Sequence, residues 1–379
     1  MGASRQIQTS ITHARTSVLD TLQCGRGLAA LGVMITHYST NTRTFVDPQL
    51  PDCPARVFQS FAFGVDFFFV LSGFIILNAH FHENGRSLRI KNYVIKRLSR
   101  IYVPYLPITL ALIAAYLIFP HFSSTNREWG WVSSLFLFPT SYAPALGVAW
   151  TLECEMMFYT IFLSYFINVW IFVSIVGLWM VAMAVAAVTG LHPDAPFFAL
   201  LLDPINFDFI LGLLCAYLYR RGSIDAGRGK YLVIAGITGF AFVSLSPCFE
   251  MPSLMRFWTN IVNVNILVGT SFAAIVLGCA LGEEQLRSWI PASMVKIGDA
   301  SYAIYLIHVP IGSLLVRVPM KVLPALWSWP ACLSFLLLGG FAAGLAYHHF
   351  VERPGLAAVR RFVSGRMPAG VKTPRTIFP

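Results

Sequence analysis

Charged side chains are scarce in this sequence. Asp, Glu, Lys and Arg account for 12% of its 379 residues, while hydrophobic residues account for 56%. A soluble domain has roughly 25% charged residues. The mean hydropathy of +0.67 points the same way. This composition excludes a soluble enzyme or binding domain and indicates an integral membrane protein.

Acidic residues and cysteine motifs are also few. The chain has 17 acidic and 27 basic residues, giving a net charge of +10. Because the basic residues of membrane proteins collect in cytoplasmic loops, the excess of basic residues is explained by a membrane location and does not indicate a nucleic-acid partner. The 7 cysteines include no CxxC pair, so we expect neither a metal site nor a thioredoxin-type site. Pairing of Cys53 with Cys248 stays open at this stage.

Ten apolar runs indicate membrane-spanning helices, at 22–40, 57–79, 101–119, 150–168, 169–190, 204–219, 231–248, 258–281, 298–317 and 325–349. An even number of spans places both termini on one side. With the termini inside, the inner segments hold 20 Lys and Arg residues and the outer segments hold 6. The positive-inside rule therefore predicts an all-α integral membrane protein with about ten transmembrane helices and both termini cytoplasmic.

The chain then divides into three parts. These are a cytoplasmic N-terminal segment at 1–21, a transmembrane domain at 22–352 and a basic cytoplasmic tail at 353–379. Residues 1–18 lack the small-residue cleavage site of a signal peptide, so we expect the first span to remain in the protein.

The first span carries an arginine near its start and a histidine near its end. Arg26 and His37 are eleven residues apart, which brings both side chains to one helix face. They lie about 16 Å apart along the axis, or about half the thickness of a bilayer core. Ionisable residues inside a membrane mark a functional site by default, so this face is predicted to line a path. The alternative is that Arg26 snorkels to the headgroups and His37 caps the span at the far interface.

Three more titratable residues fall in the same outer half as His37, namely Asp66, Glu155 and His308. We expect them to converge with His37, because a histidine beside a carboxylate is the arrangement that activates a hydroxyl by general-base catalysis. Asp66 or Glu155 would then orient the imidazole. The alternatives are a structural hydrogen bond for either carboxylate and a packing role for His308.

The inner half carries Arg97 and Arg100, three residues apart on one face of the third span. Each guanidinium offers a planar fork of donors, so the pair suits a phosphate or pyrophosphate. Glu352 lies on the same side and would neutralise one arginine. An ordinary cytoplasmic anchor is the alternative for the pair.

Six stretches in order resemble the membrane acyltransferase-3 family, the integral-membrane O-acyltransferases that decorate bacterial polysaccharides. They lie at 26–37, 64–73, 97–100, 150–159, 298–308 and 352–354, so the resemblance covers nearly the whole chain. The first stretch matches the family's arginine–ten residues–histidine signature and the third matches its RxxR pair. Thr151 stands where the family usually has serine. The opening at 22–30 looks most like exopolysaccharide O-acetyltransferases.

The resemblance implies a reaction. An acyl-CoA, usually acetyl-CoA, would donate its acyl group from the cytoplasmic side to a hydroxyl of a cell-surface or exported carbohydrate. It implies no bound cofactor, a bacterial inner-membrane location, and polysaccharide-assembly proteins as possible partners.

Roles follow for individual residues once the resemblance is added to the sorting by depth. The catalytic candidates are His37, Glu155 and Asp66, and the donor-binding candidates are Arg26, Arg97 and Arg100. The supporting candidates from the matching stretches are Tyr159, Ser301, Tyr302, His308 and Glu352.

The sequence leaves several alternatives open. A multi-span transporter of a polar or anionic solute is the main rival class, although we find no internal repeat of the kind that many transporters show. Transfer is either direct or through an acyl-enzyme. The acceptor, the acyl group and the oligomeric state are not assigned.

Overall fold

The computed structural model describes residues 19–119, 129–249, 261–322 and 327–364. Regular structure in these ranges is helical, apart from one isolated β-bridge between Trp129 and Ala143. The helices are α1 (Asp20–Phe45), α2 (Asp52–Ser60), α3 (Gly64–His80), α4 (Ile90–Ile118), α5 (Trp131–Phe136), α6 (Trp150–Ile167), α7 (Val169–Thr189), α8 (Pro196–Leu201), α9 (Phe207–Arg221), α10 (Gly229–Leu245), α11 (Ile261–Leu281), α12 (Glu283–Leu286), α13 (Ala292–Asp299), α14 (Ser301–Leu315), α15 (Arg317–Lys321), α16 (Trp329–Tyr347) and α17 (Arg353–Ser364).

A multi-pass membrane protein is confirmed by the length and apolarity of these helices. Seven helical stretches within the described ranges are long and apolar enough to cross a bilayer. Each of the ten predicted runs contains a helix, but α1, α6 and α9 are not among the seven. The physical reason is plain for α9, which has 15 residues. By contrast, α1 and α6 carry the polar residues of the site described below. The count of ten crossings stays a prediction.

The junction between the fourth and fifth predicted spans is a single residue. Helix α6 ends at Ile167 and Asn168 adopts an extended backbone. Its side chain accepts a hydrogen bond from the N–H of Trp170 at 2.7 Å and so caps the start of α7. One capping asparagine therefore divides an apolar run that is otherwise nearly continuous.

The core forms where α3 and α9 approach closely. A methyl group added at Gly73 would overlap the main-chain carbonyl of Phe209, and one added at Gly212 would overlap the carbonyl of Val70. Small residues at such positions allow helix backbones to pack closely in membranes. Gly73 therefore admits the neighbouring helix α9.

Helix α1 is fixed at its first turn. The carboxylate of Glu283 accepts hydrogen bonds from the main-chain N–H groups of Asp20 at 2.9 Å and Thr21 at 3.2 Å. A negative charge at a helix N-terminus is favourable, because the N–H groups there have no partner within the helix. Asp20 also forms an ion pair with Arg287 at 2.8 Å. These contacts hold the end of α1 that carries Arg26.

A disulfide joins Cys53 of α2 to Cys248 at the end of α10, with the two Cα atoms 5.1 Å apart. The Arg56 guanidinium donates a hydrogen bond to the carbonyl of Pro247 beside it, at 2.7 Å. The pairing that the sequence leaves open is thus present.

The tail predicted from residue 353 begins as helix α17. It continues α16 through one π-helical turn at His348–Glu352. Most of the predicted N-terminal segment, at 1–18, and the end of the tail, at 365–379, lie outside the described residues.

Candidate active site

Arg26 lies inside the protein, with 5% of its surface exposed. Its Nη1 donates a hydrogen bond to Oε1 of Gln23 at 2.8 Å, and Gln23 in turn donates to Asp299 at 2.8 Å. Among the described residues Arg26 forms no ion pair. A buried guanidinium with several unused donors is a site for an anion. The side chain does not snorkel to a headgroup surface.

Arg26 and Arg100 line one pocket, here called the arginine pocket, together with Val65, Phe68, Phe69, Ser72, Ile101, Thr151, Leu152, Glu155, Tyr302 and Tyr305. Ser72 donates a hydrogen bond to Oε1 of Glu155 at 3.0 Å, and the Tyr159 hydroxyl donates to the same oxygen. Both hydroxyls therefore use one carboxylate oxygen. The pocket combines two cations with a single oriented carboxylate.

Arg97 is not among the residues that line the pocket, but it contacts Tyr159, which hydrogen-bonds to Glu155. It is 7% exposed, and its guanidinium lies over the ring of Tyr159 at 5.2 Å and that of Tyr93 at 5.9 Å. Such cation–π contacts stabilise a desolvated arginine. The two arginines of the RxxR pair thus differ in role, since Arg100 lines the pocket while Arg97 holds the tyrosine that contacts Glu155.

Of the other supporting candidates, only Tyr302 is among the residues that line the arginine pocket. Its hydroxyl donates a hydrogen bond to the carbonyl of Ile101 at 3.2 Å. Glu352 is buried and contacts Nδ1 of His348 at 2.7 Å, and within the described part of the chain it forms no ion pair with an arginine. Ser301 is fully buried at the start of α14.

A second space, here called the histidine cavity, has a volume of about 500 Å³. That volume is within the usual range for small-molecule sites. Its lining is Val33, His37, Ala62, Phe63, Val65, Asp66, Gly147, Val148, Trp150, Ile205, Tyr305 and Val309. Trp150 is 40% exposed, so part of the wall reaches the protein surface.

His37 contacts a second histidine in this cavity. Its Nδ1 lies 3.2 Å from Nε2 of His308 and 3.0 Å from the carbonyl of Val33. His308 is fully buried, and its Nδ1 lies 2.6 Å from the carbonyl of Tyr305. No carboxylate hydrogen-bonds to His37 among the described residues. The partner of the imidazole is therefore His308, and not Asp66 or Glu155 as the sequence suggests.

Tyr305 and Val65 line both spaces and so form the wall between them. The Tyr305 hydroxyl hydrogen-bonds to Thr151 at 2.9 Å. Thr151 keeps the hydroxyl that the family's usual serine would provide at this position. Sequence reasoning does not single out Tyr305, because a tyrosine in an apolar helix gives no sign that its side chain separates two pockets.

The four groups expected to converge are divided between the two spaces. His37, His308 and Asp66 lie at the histidine cavity, while Glu155 lies with the arginines. Asp208 of α9 is a further buried carboxyl, which the sequence analysis does not select.

A family model described as the acyltransferase domain matches residues 19–347, which include both spaces and their walls. The chain belongs to this acyltransferase family. The resemblance seen in the six motifs is thereby confirmed.

Three named proteins are similar to this acyltransferase. The exopolysaccharide production protein ExoZ of Rhizobium meliloti is 27% identical over 82% of this chain and 93% of its own. The acyltransferase MdmB of Streptomyces mycarofaciens is 29% identical over 75% and 76%. The peptidoglycan O-acetyltransferase OatA of Listeria monocytogenes is 27% identical over 70% of this chain, but the match spans only 47% of OatA. No solved structure matches the chain.

Proposed function

We propose that this acyltransferase moves an acyl group, with acetyl as the group assigned, from acyl-CoA to a hydroxyl of an exported or cell-surface carbohydrate. The observation that carries the proposal is the pairing of two spaces across one wall. A pocket lined by Arg26, Arg100 and Glu155 adjoins a histidine cavity, and Tyr305 belongs to both.

The arginine pocket suits the donor. Arg26 and Arg100 present planar donors to a pocket, and acyl-CoA carries phosphate and pyrophosphate groups that such donors bind. Arg97 is the third donor-binding candidate and acts through the ring of Tyr159. No separate bound cofactor is needed, because acyl-CoA is itself the substrate.

The histidine cavity suits the acceptor. Its volume of about 500 Å³ accommodates a sugar, and His37 is exposed to it. One relative is named as an exopolysaccharide production protein and another as a peptidoglycan O-acetyltransferase. A carbohydrate hydroxyl is therefore the acceptor class that we assign, with polysaccharide-assembly proteins as possible partners.

In the proposed direct reaction, His37 takes the proton of the acceptor hydroxyl as general base. The hydroxyl oxygen attacks the thioester carbonyl, the carbon–sulfur bond breaks, and the CoA sulfur leaves with the electron pair. The proton then passes from His37 to that sulfur, giving an ester and free CoA. In this scheme Glu155 is the carboxylate that lines the donor pocket and Asp66 is the one that lines the acceptor cavity.

The proposed setting is the bacterial inner membrane, with ten spans and both termini in the cytoplasm. The bias of basic residues supports this orientation. The disulfide between Cys53 and Cys248 supports it as well, because disulfides persist in oxidising compartments and both cysteines fall on the predicted outer side.

The test uses membranes that contain either wild type or His37→Ala, supplied with acetyl-labelled acetyl-CoA and extracted host polysaccharide. We expect labelled polysaccharide and free CoA with wild type only. Correctly inserted wild-type protein that neither releases CoA nor labels an acceptor would contradict the proposal and favour a transporter.

A further inference from the structure

The hydrogen on His37 can be assigned from its neighbours. Nδ1 lies 3.0 Å from the main-chain carbonyl of Val33. A carbonyl oxygen only accepts hydrogen bonds, so Nδ1 must carry the hydrogen. In a neutral imidazole the other nitrogen, Nε2, then holds a lone pair.

The same argument assigns His308. Its Nδ1 lies 2.6 Å from the carbonyl of Tyr305 and must donate to it. Nε2 of His308 therefore holds a lone pair, which faces Nδ1 of His37 at 3.2 Å. A protonated Nε2 would set a donor against a donor at this contact. The single hydrogen on Nδ1 of His37 is therefore shared between the Val33 carbonyl and Nε2 of His308 as a three-centre hydrogen bond.

The position of His308 is itself fixed on several sides. The side chain is fully buried and packs beside the rings of His37, Tyr38 and Tyr305, with centroid distances of 4.9, 6.4 and 5.7 Å. Its main-chain carbonyl accepts a hydrogen bond from the Tyr38 hydroxyl at 2.8 Å. The acceptor that His308 offers to His37 is therefore held in place.

We propose that His308 is a positioning residue that, together with the Val33 carbonyl, holds the His37 ring in its Nδ1–H tautomer and orientation and so leaves Nε2 free to take the acceptor proton. The inference rests on the proposed function, in which His37 is the general base. Its role is the one that a carboxylate fills in many catalytic histidine pairs. Here a neutral histidine provides the acceptor, and no charge is placed beside the imidazole.

Two amide variants of His308 distinguish a role in positioning His37 from a role in packing. In His308→Gln the amide oxygen can take the place of Nε2 and accept from His37. In His308→Asn the amide reaches only the place of Nδ1, so it can serve Tyr305 but not His37. We expect His308→Asn to lower kcat about 100-fold with both KM values unchanged, and His308→Gln to stay within about tenfold of wild type.

The result that overturns the inference is equal loss, or no loss, in the two variants at equal thermal stability. His37→Ala is measured in parallel. If His37→Ala keeps activity, the role of His37 as general base fails, and with it the role of His308. If His37→Ala is inactive while His308→Asn turns over like wild type, only the role of His308 fails.

A spectroscopic measurement on wild type does not depend on how the variants fold. Nitrogen-15 NMR of histidine-labelled protein distinguishes Nδ1–H from Nε2–H imidazole, and His37 is identified by the resonance lost in His37→Gln. We expect the Nδ1–H form for His37. An Nε2–H resonance would overturn the inference.

Discussion

Tyr38 directly follows His37 on α1, and its hydroxyl donates a hydrogen bond to the main-chain carbonyl of His308 at 2.8 Å. The Tyr38 side chain is fully buried, and its ring occupies the space left by two glycines, Gly312 of α14 and Gly340 of α16. The contact between the two histidines thus depends on how closely three helices approach around one tyrosine.

The glycine at 340 is expected to be necessary for this packing. In Gly340→Ala the added methyl group overlaps the Tyr38 hydroxyl, so the ring must move and its hydrogen bond to His308 is lost. We expect a loss of about 1–3 kcal/mol in stability and a lower turnover rate. Thermal midpoints and acyl transfer in detergent measure both.

Gly177→Ala in α7 is the matched control, since nothing lies within 4 Å of the added methyl group. It should keep full activity and gain up to about 1 kcal/mol in stability, because alanine favours a helix over glycine. Wild-type stability and turnover in Gly340→Ala would show that the packing around Tyr38 is not needed.

The arginine pair is expected to act on the donor more than on the acceptor. Replacing Arg97 and Arg100 together with alanine removes one pocket donor and the cation beneath Tyr159. A hydrogen bond to a charged group contributes about 1.5–3 kcal/mol. The KM for acyl-CoA should therefore rise about tenfold or more, with a smaller change in the acceptor KM.

Lys91→Ala, an exposed cation on the same helix, is the control and should leave both constants unchanged. The single variants distinguish donor binding by Arg100 from the support that Arg97 gives to Tyr159. Arg100→Ala should mainly affect donor KM, while Arg97→Ala should also lower kcat by loosening Tyr159 and Glu155. An unchanged apparent affinity for acyl-CoA in the double variant would remove the pair from the donor site.

The disulfide is expected to mark the outer side of the membrane. In a variant that keeps only Cys53 and Cys248, a membrane-impermeant thiol reagent should label intact cells only after treatment with a reductant. Labelling confined to inverted vesicles, or labelling without reduction, would be inconsistent with the proposed orientation.

Stability should respond to acid through Glu83, which lies between α3 and α4. A hydrogen bond from Nδ1 of His80 at 2.7 Å holds the pKa of Glu83 below its usual range. A carboxyl with a lowered folded-state pKa stabilises the fold above its unfolded pKa of about 4.3 and loses that contribution as the pH falls through the folded value. Glu83→Gln should therefore lower the thermal midpoint at pH 7.

The gap between wild type and Glu83→Gln should close as the pH falls below about 4, measured as thermal midpoints across a pH series. Glu284→Gln changes an exposed carboxyl and serves as the control. A gap that stays constant across the series would mean that the ionised form of Glu83 is not what stabilises the loop.

Much of the architecture is readable from the sequence, because apolar runs and turn residues are local. Helices occur at all ten predicted runs, and the Arg26-to-His37 spacing lies on one uninterrupted helix. The capping Asn168 also divides the adjacent runs at 150–168 and 169–190, which follow each other without a gap in the sequence.

The partners of the site residues are less readable, because they depend on contacts between distant segments. Depth alone groups Glu155 with His37, but the rotation of α6 turns its carboxylate to Ser72 and the arginine pocket. Depth in the membrane also does not reveal that Arg100 lines the pocket while Arg97 packs over the ring of Tyr159. Likewise, only the meeting of α1 with α14 shows that His308 is the partner of His37.

The central claim is that His37 supplies the base for acyl transfer, and chemical rescue tests it most directly. Purified His37→Ala is assayed for transfer from acetyl-CoA with and without added imidazole, which the histidine cavity is large enough to admit. We predict a loss of about 100-fold or more, partly restored by imidazole as external base. A wild-type rate in His37→Ala without imidazole would contradict the account.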